Sequence, residues 1–147
     1  MRAVAATIAA SLLWTACSMA GPAGPVAIEP GTNVSLRPGQ SAQAGDTGLR
    51  IGFEAVLADS RCPKGEQCIV AGDATVRVWL QRGAGPRETR DLHTTPGTAQ
   101  AANVLGLELR LLRLEPYPVS GSAIAKADYV ATLALGPSTA AAAVADR

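Results

Sequence analysis

Alternation of apolar and polar residues dominates the chain from about residue 34 onward. Leu49, Ile51, Phe53, Ala55 and Leu57 recur at every second position, with Arg50, Gly52 and Glu54 between them and Val56 out of step. A period of two puts the first set on one face of a strand. At the helical period the same residues would spread around the whole circumference. The spacing therefore predicts a strand over 49–59. Ala74, Val76, Val78 and Leu80 repeat the pattern against Asp73, Thr75, Arg77 and Gln81, which leaves Trp79 exposed or half-covered. These two strands pair antiparallel or face each other across the core.

Weaker patterns fill in around them. A short strand over 34–37 stops at Pro38-Gly39, a turn signal, and a return strand comes next over 41–44. The run 87–93 is a polar strand, and its charges suit a sheet edge. Residues 94–103, containing Pro96-Gly97, read as a loop. Over 104–115, Leu105, Leu107, Leu109 and Leu111 alternate with Gly106, Glu108 and Arg110. The phase then flips, so that Leu112 and Leu114 are apolar and Arg113 points outward. A β-bulge near Leu111-Leu112 produces such a flip. A helix is the rival reading of this leucine-rich run, but Gly106 and the strict alternation favour a strand. The last strand, over 127–135, carries Tyr129, Ala131, Leu133 and Leu135 on one face. Strands at short spacing, joined by Gly/Pro turns, predict an all-β fold: an antiparallel sandwich or barrel of about seven strands.

Between the two strongest strands lies the segment Asp59-Ser60-Arg61-Cys62-Pro63-Lys64-Gly65-Glu66-Gln67-Cys68. Five residues lie between Cys62 and Cys68, whereas zinc sites favour closer pairs with two further soft ligands. The spacing predicts a disulfide. Closing so short a loop contributes on the order of 2 kcal/mol at most, so its expected role is to fix the loop's shape. Asp59 is placed to accept backbone N–H bonds as in an Asx-turn. Arg61, Lys64 and Glu66 read as solvated charges at the loop tip. Asp59, Arg61, Lys64 and Glu66 together form the candidate binding loop, because scaffolded loops carry function disproportionately.

The N-terminus adds an address. Met1-Arg2 is succeeded by an uncharged apolar run from Ala3 to Ala16, too short for a confident membrane span of ~20 residues. It reads as a signal peptide over 1–16. Ala16-Cys17-Ser18 at its end resembles a bacterial lipoprotein processing site, with Cys17 as the lipidated residue. Trp14 departs from the usual leucine of such sites. The alternative is cleavage after Ala20, at Ser18-Met19-Ala20. Of three cysteines, Cys17 is the one left over once Cys62 and Cys68 pair. Either route takes the protein out of the reducing cytoplasm and into a compartment where disulfides persist. The expected localisation is the outer membrane, anchored by lipid on Cys17, with a periplasmic or secreted protein as the alternative. The organisation is a signal peptide (1–16), a Pro/Gly-rich tether (17–31), a β domain (32–136) and a disordered alanine-rich tail (137–147).

The run D-S-R-C-P, a second cysteine six positions on, and A-G-D-A-x-V resemble a group of small bacterial secreted or lipoprotein β-domains of uncharacterised function. The resemblance extends to Leu114-Glu115-Pro116-Tyr117-Pro118 and Asp128-Tyr129. It implies an extracytoplasmic β domain and no reaction.

Composition removes other functions. The net charge of +1 is scattered and aromatics make up 3% of residues, so neither a basic stripe nor a base-stacking platform for nucleic acid is present. The single histidine, His93, shares a strand face with Asp91, but no G-x-S-x-G elbow presents a serine, so no catalytic residues are assigned. Asp59, Glu66 and Asp73 bracket the loop without an EF-hand spacing, so no metal and no cofactor are expected. Trp79 and Tyr117 read as packing residues with a polar tip. The expected function is a non-catalytic envelope module, structural or binding, whose partner is an envelope protein or ligand. A protease-inhibitor-like protein presenting Arg61 or Lys64 is second, and a hydrolase third.

Overall fold

The computed structural model describes residues 26–28, 31, 33–104 and 106–138. The expected signal peptide, Cys17, the start of the tether and residues 139–147 of the tail lie outside the described residues. Among those described there are nine strands: β1 (Val26–Ile28), β2 (Asn33–Leu36), β3 (Ser41–Ala44), β4 (Leu49–Asp59), β5 (Ala74–Arg82), β6 (Arg87–His93), β7 (Ala101–Val104), β8 (Leu107–Glu115) and β9 (Val130–Pro137).

They form two sheets, ordered β1-β3-β4-β5-β6 and β2-β9-β8-β7. Every pairing is antiparallel except β1 with β3. The inner faces meet in one core. Leu49, Ile51, Phe53, Val76, Val78 and Leu80 from the first sheet are buried with Leu36, Leu109, Leu111, Leu133 and Leu135 from the second. The expected all-β sandwich is therefore the fold. The polar strand β6 does lie at a sheet edge.

Four details differ from the sequence reading. The register of β4 against β5 shifts between Phe53 and Ala55 and again between Val56 and Ala58. Each bulge reverses the facing of the residues beyond it. Val56, out of step in the sequence, pairs with Val76 and packs against the core, while Leu57 is 47% exposed. Secondly, the run 104–115 is not one strand. Gly106, at φ +80°, turns the chain between β7 and β8, so residues 101–104, read mostly as loop, become the sheet edge. The expected bulge is present, between Leu111 and Arg113, but it turns Leu112 outward and keeps Leu114 in the core. Thirdly, Val26–Ile28, inside the expected tether, pair with β3. Fourthly, Pro137 belongs to β9 and Ser138 is buried, its hydroxyl 2.9 Å from Asn103 Oδ1, although both were expected in the tail.

Candidate functional site

The chain between β4 and β5 remains paired beyond the strands. The Ser60 N–H donates to Asp73 O at 2.7 Å and the Cys62 N–H to Ala71 O at 2.9 Å. Gly72 permits this close crossing: its φ is +70°, and a Cβ there would collide with the Ser60 carbonyl. Past Cys62 the loop is closed by the expected Cys62–Cys68 disulfide. Its far side is pinned to the segment after β8. The Lys64 N–H donates to Pro118 O, the Ser120 N–H donates to Lys64 O, and the Ser120 hydroxyl lies 2.6 Å from Glu66 Oε1. Ladder, bridge and pin fix the base of the loop and leave Ile69 and Val70 at its surface, 104% and 73% exposed.

Arg61 is where the structure departs most from the sequence. It is not a solvated charge at the loop tip but is 7% exposed. Its Nε and one terminal nitrogen reach the two Asp59 oxygens at 2.8 and 2.6 Å, a bidentate pair. Its other contacts cross to the second sheet, donating to Leu114 O at 2.7 Å and Pro116 O at 3.0 Å. Tyr129, just before β9, donates its hydroxyl to Asp59 at 3.0 Å. The guanidinium also lies 5.0 Å from the centre of the Tyr117 ring, and the Lys64 ammonium lies 5.6 Å from it. Asp59 does accept the Arg61 backbone N–H, at 3.2 Å, as an Asx-turn requires. Burial pushes the Asp59 carboxyl up, but its bonds with Arg61 outweigh this and hold it below its usual value. Burial likewise raises the Tyr129 phenol, and the neighbouring Asp59 carboxylate adds to the shift.

A second cluster fastens the same end of the sandwich. Asp73 Oδ1 accepts from the Thr94 and Thr95 N–H groups at 3.0 and 2.9 Å and from the Thr94 hydroxyl at 3.1 Å. His93 Nδ1 lies 2.5 Å from Asp73 Oδ2. Partial burial opposes ionisation of Asp73, yet the bonds from His93, Thr95 and Thr94 prevail and hold its pKa at about 2. The carboxylate partner of His93 is thus Asp73. Asp91, on the same strand, instead forms a bidentate pair with Arg77 at 2.7 and 2.8 Å. Sequence reading missed this partnership because Asp73 lies twenty residues away and meets His93 only through the β5–β6 pairing.

Of the expected binding-loop residues, then, Asp59 and Arg61 form a buried clamp between the sheets, while Lys64 and Glu66 stay at the exposed surface. The three bracketing carboxylates do not converge: Asp59 faces Arg61, Glu66 faces Ser120 and Asp73 faces His93. An open groove of about 450 Å³ lies beside the clamp, between Thr94-Thr95-Pro96 and the outer end of β8. No family model, curated protein or solved structure matches the chain. Asp59, Arg61, Cys62, Asp73, Pro116, Tyr117 and Tyr129 all belong to this one end of the fold. Trp79 lies elsewhere, half-buried on the outer face of the first sheet. A Cβ on Gly52 would fall inside its indole, and Arg87 stacks on the ring at 4.0 Å. With Gly52 and Arg87 against it, Trp79 is a packing residue.

Proposed function

We propose that the chain is a non-catalytic cell-envelope module, anchored through lipid on Cys17 or secreted, that binds a partner through the end of the sandwich carrying the Cys62–Cys68 loop. The observation that carries this reading is the pair Ile69-Val70, two β-branched apolar side chains left in water on a loop whose base is held by a disulfide and a backbone ladder. Preorganised loops lose little entropy on docking, which is what such a base supplies. Covering each side chain contributes about 1.5–3 kcal/mol.

The inhibitor reading has less support. Arg61 is engaged inside the fold, and the Lys64 main chain, which a substrate mimic would offer to a protease, is bonded to Pro118 and Ser120. The hydrolase reading has an Asp73–His93 pair, but among the described residues no serine, threonine or cysteine side chain is hydrogen-bonded to the His93 ring. Incubation with trypsin-like proteases separates the inhibitor from the other two.

The test is capture from the native envelope with wild type and with Ile69→Ser/Val70→Ser. Two lost contacts of about 1.5 kcal/mol each weaken binding about a hundredfold. The partner recovered with wild type should be absent from the variant eluate. Equal recovery from both would refute this surface.

A further inference from the structure

Strand β8 outruns its outer neighbour. On one side it pairs with β9 along its length, but β7 covers only Leu107 to Arg110. Beyond that point Leu111 still donates its N–H to Gln100 O, and no strand among the described residues lies beside the remainder on that side. The direction of their backbone groups is set by β9. Leu135 O accepts from Gly31, on the β2 side, so Leu133 and Ala131 turn their groups the same way. Leu114 lies opposite Ala131 and therefore turns its own groups away from β9, toward the open edge.

At this edge sits Arg61, donating to Leu114 O and Pro116 O, the alternate carbonyls a further strand would use. We propose that Arg61 is an edge guard: its guanidinium takes the place of the strand that β7 does not supply and keeps this edge from pairing with the same edge of a second copy. A second copy is the fitting occupant because the edge is complementary to itself. Arg113 and Glu115 are 71% and 50% exposed at the side chain and face each other at 3.8 Å within the chain, so each can exchange its partner for that of a second copy. An antiparallel two-fold pairing centred on Leu114 sets Arg113 of each copy against Glu115 of the other. Leu112, 48% exposed, adds apolar surface beside them. Unguarded edges of this kind associate, and natural sheets blunt them with inward-pointing charges. The planar fork of arginine spans both carbonyls, and Asp59 holds the fork in position. The guard role is independent of the binding role proposed for Ile69 and Val70.

The test uses Asp59→Asn/Arg61→Met, which removes the whole ion pair and leaves no lone buried charge. Circular dichroism checks that it folds, and light scattering after gel filtration reads its mass across a range of concentrations. Wild type should be monomeric and the variant should shift to twice that mass. Adding Arg113→Glu sets like charges together and should return it to monomer. Adding Arg113→Glu and Glu115→Arg together should restore the dimer. If the first variant does not fold, Arg61→Lys replaces it, because an ammonium keeps the Asp59 partner but cannot bridge both carbonyls. A folded variant that stays monomeric overturns the proposal. So does association indifferent to Arg113→Glu, or a wild type already dimeric through this edge.

Discussion

Arg61→Ala removes the charge that faces Asp59 and both donors to the second sheet. What remains for Asp59, whose side chain is 9% exposed, is the Tyr129 hydroxyl and one backbone N–H. Breaking a buried pair from one side is destabilising by about 3–5 kcal/mol, because the surviving charge is left in the protein. A ceiling comes from titration. Protonating an ordinary aspartate at pH 7 takes about 4 kcal/mol, and a stranded Asp59 would do this before tolerating more. We therefore expect a loss of about 3–4 kcal/mol, or a fall in Tm of roughly 10–15 °C for a domain of this size. That exceeds the ~2 kcal/mol ceiling for the short disulfide. Urea unfolding monitored by circular dichroism at low protein concentration measures it. The difference should narrow at pH 4. There the wild type begins to lose the contribution of its depressed Asp59, while the variant gains by protonating the same group. A loss below about 1 kcal/mol, or one independent of pH, would refute the clamp.

Acid should act through the second cluster as well. Asp73 has its pKa held at about 2 in the folded protein against an ordinary 3.8. Its contribution is thus complete above the ordinary value and is lost as pH falls from about 4 toward 2. Asp73→Asn should flatten the stability profile in that window, and an unchanged profile would show that the His93 and Thr94 bonds add nothing. On anchoring, Cys17→Ser should move the protein from the membrane fraction into the soluble envelope fraction. Wild-type protein that is already soluble, with Gly21 as its first residue, would exclude the lipid.

How much of this was legible in the sequence depended on whether a feature was local. The period-two faces of β5 and β9 were readable residue by residue, since Val76, Val78 and Leu80, like Ala131, Leu133 and Leu135, are all buried. In β4 the same rule fails after Phe53, because a bulge is set by the partner strand and no residue in the run announces it. The outward turn of Leu57 was therefore hidden, although Val56 standing out of step was its trace. Strand β7 is short and begins with two alanines, and Gly106 looked like a weak point within one strand when it is the turn between two. The disulfide was readable from spacing. The burial of Arg61 was not, since its carbonyl partners lie more than fifty residues away.

The central claim, that the disulfide-based loop presents Ile69 and Val70 to a partner, is tested most directly by a photo-crosslinking amino acid in intact cells. It is placed at Val70 and, in a separate chain, at Arg90 on the β6 edge. The account predicts one discrete adduct from position 70, lost when Cys62→Ser/Cys68→Ser is added, and none from position 90. No adduct from position 70, or the same adduct from both positions, would contradict it.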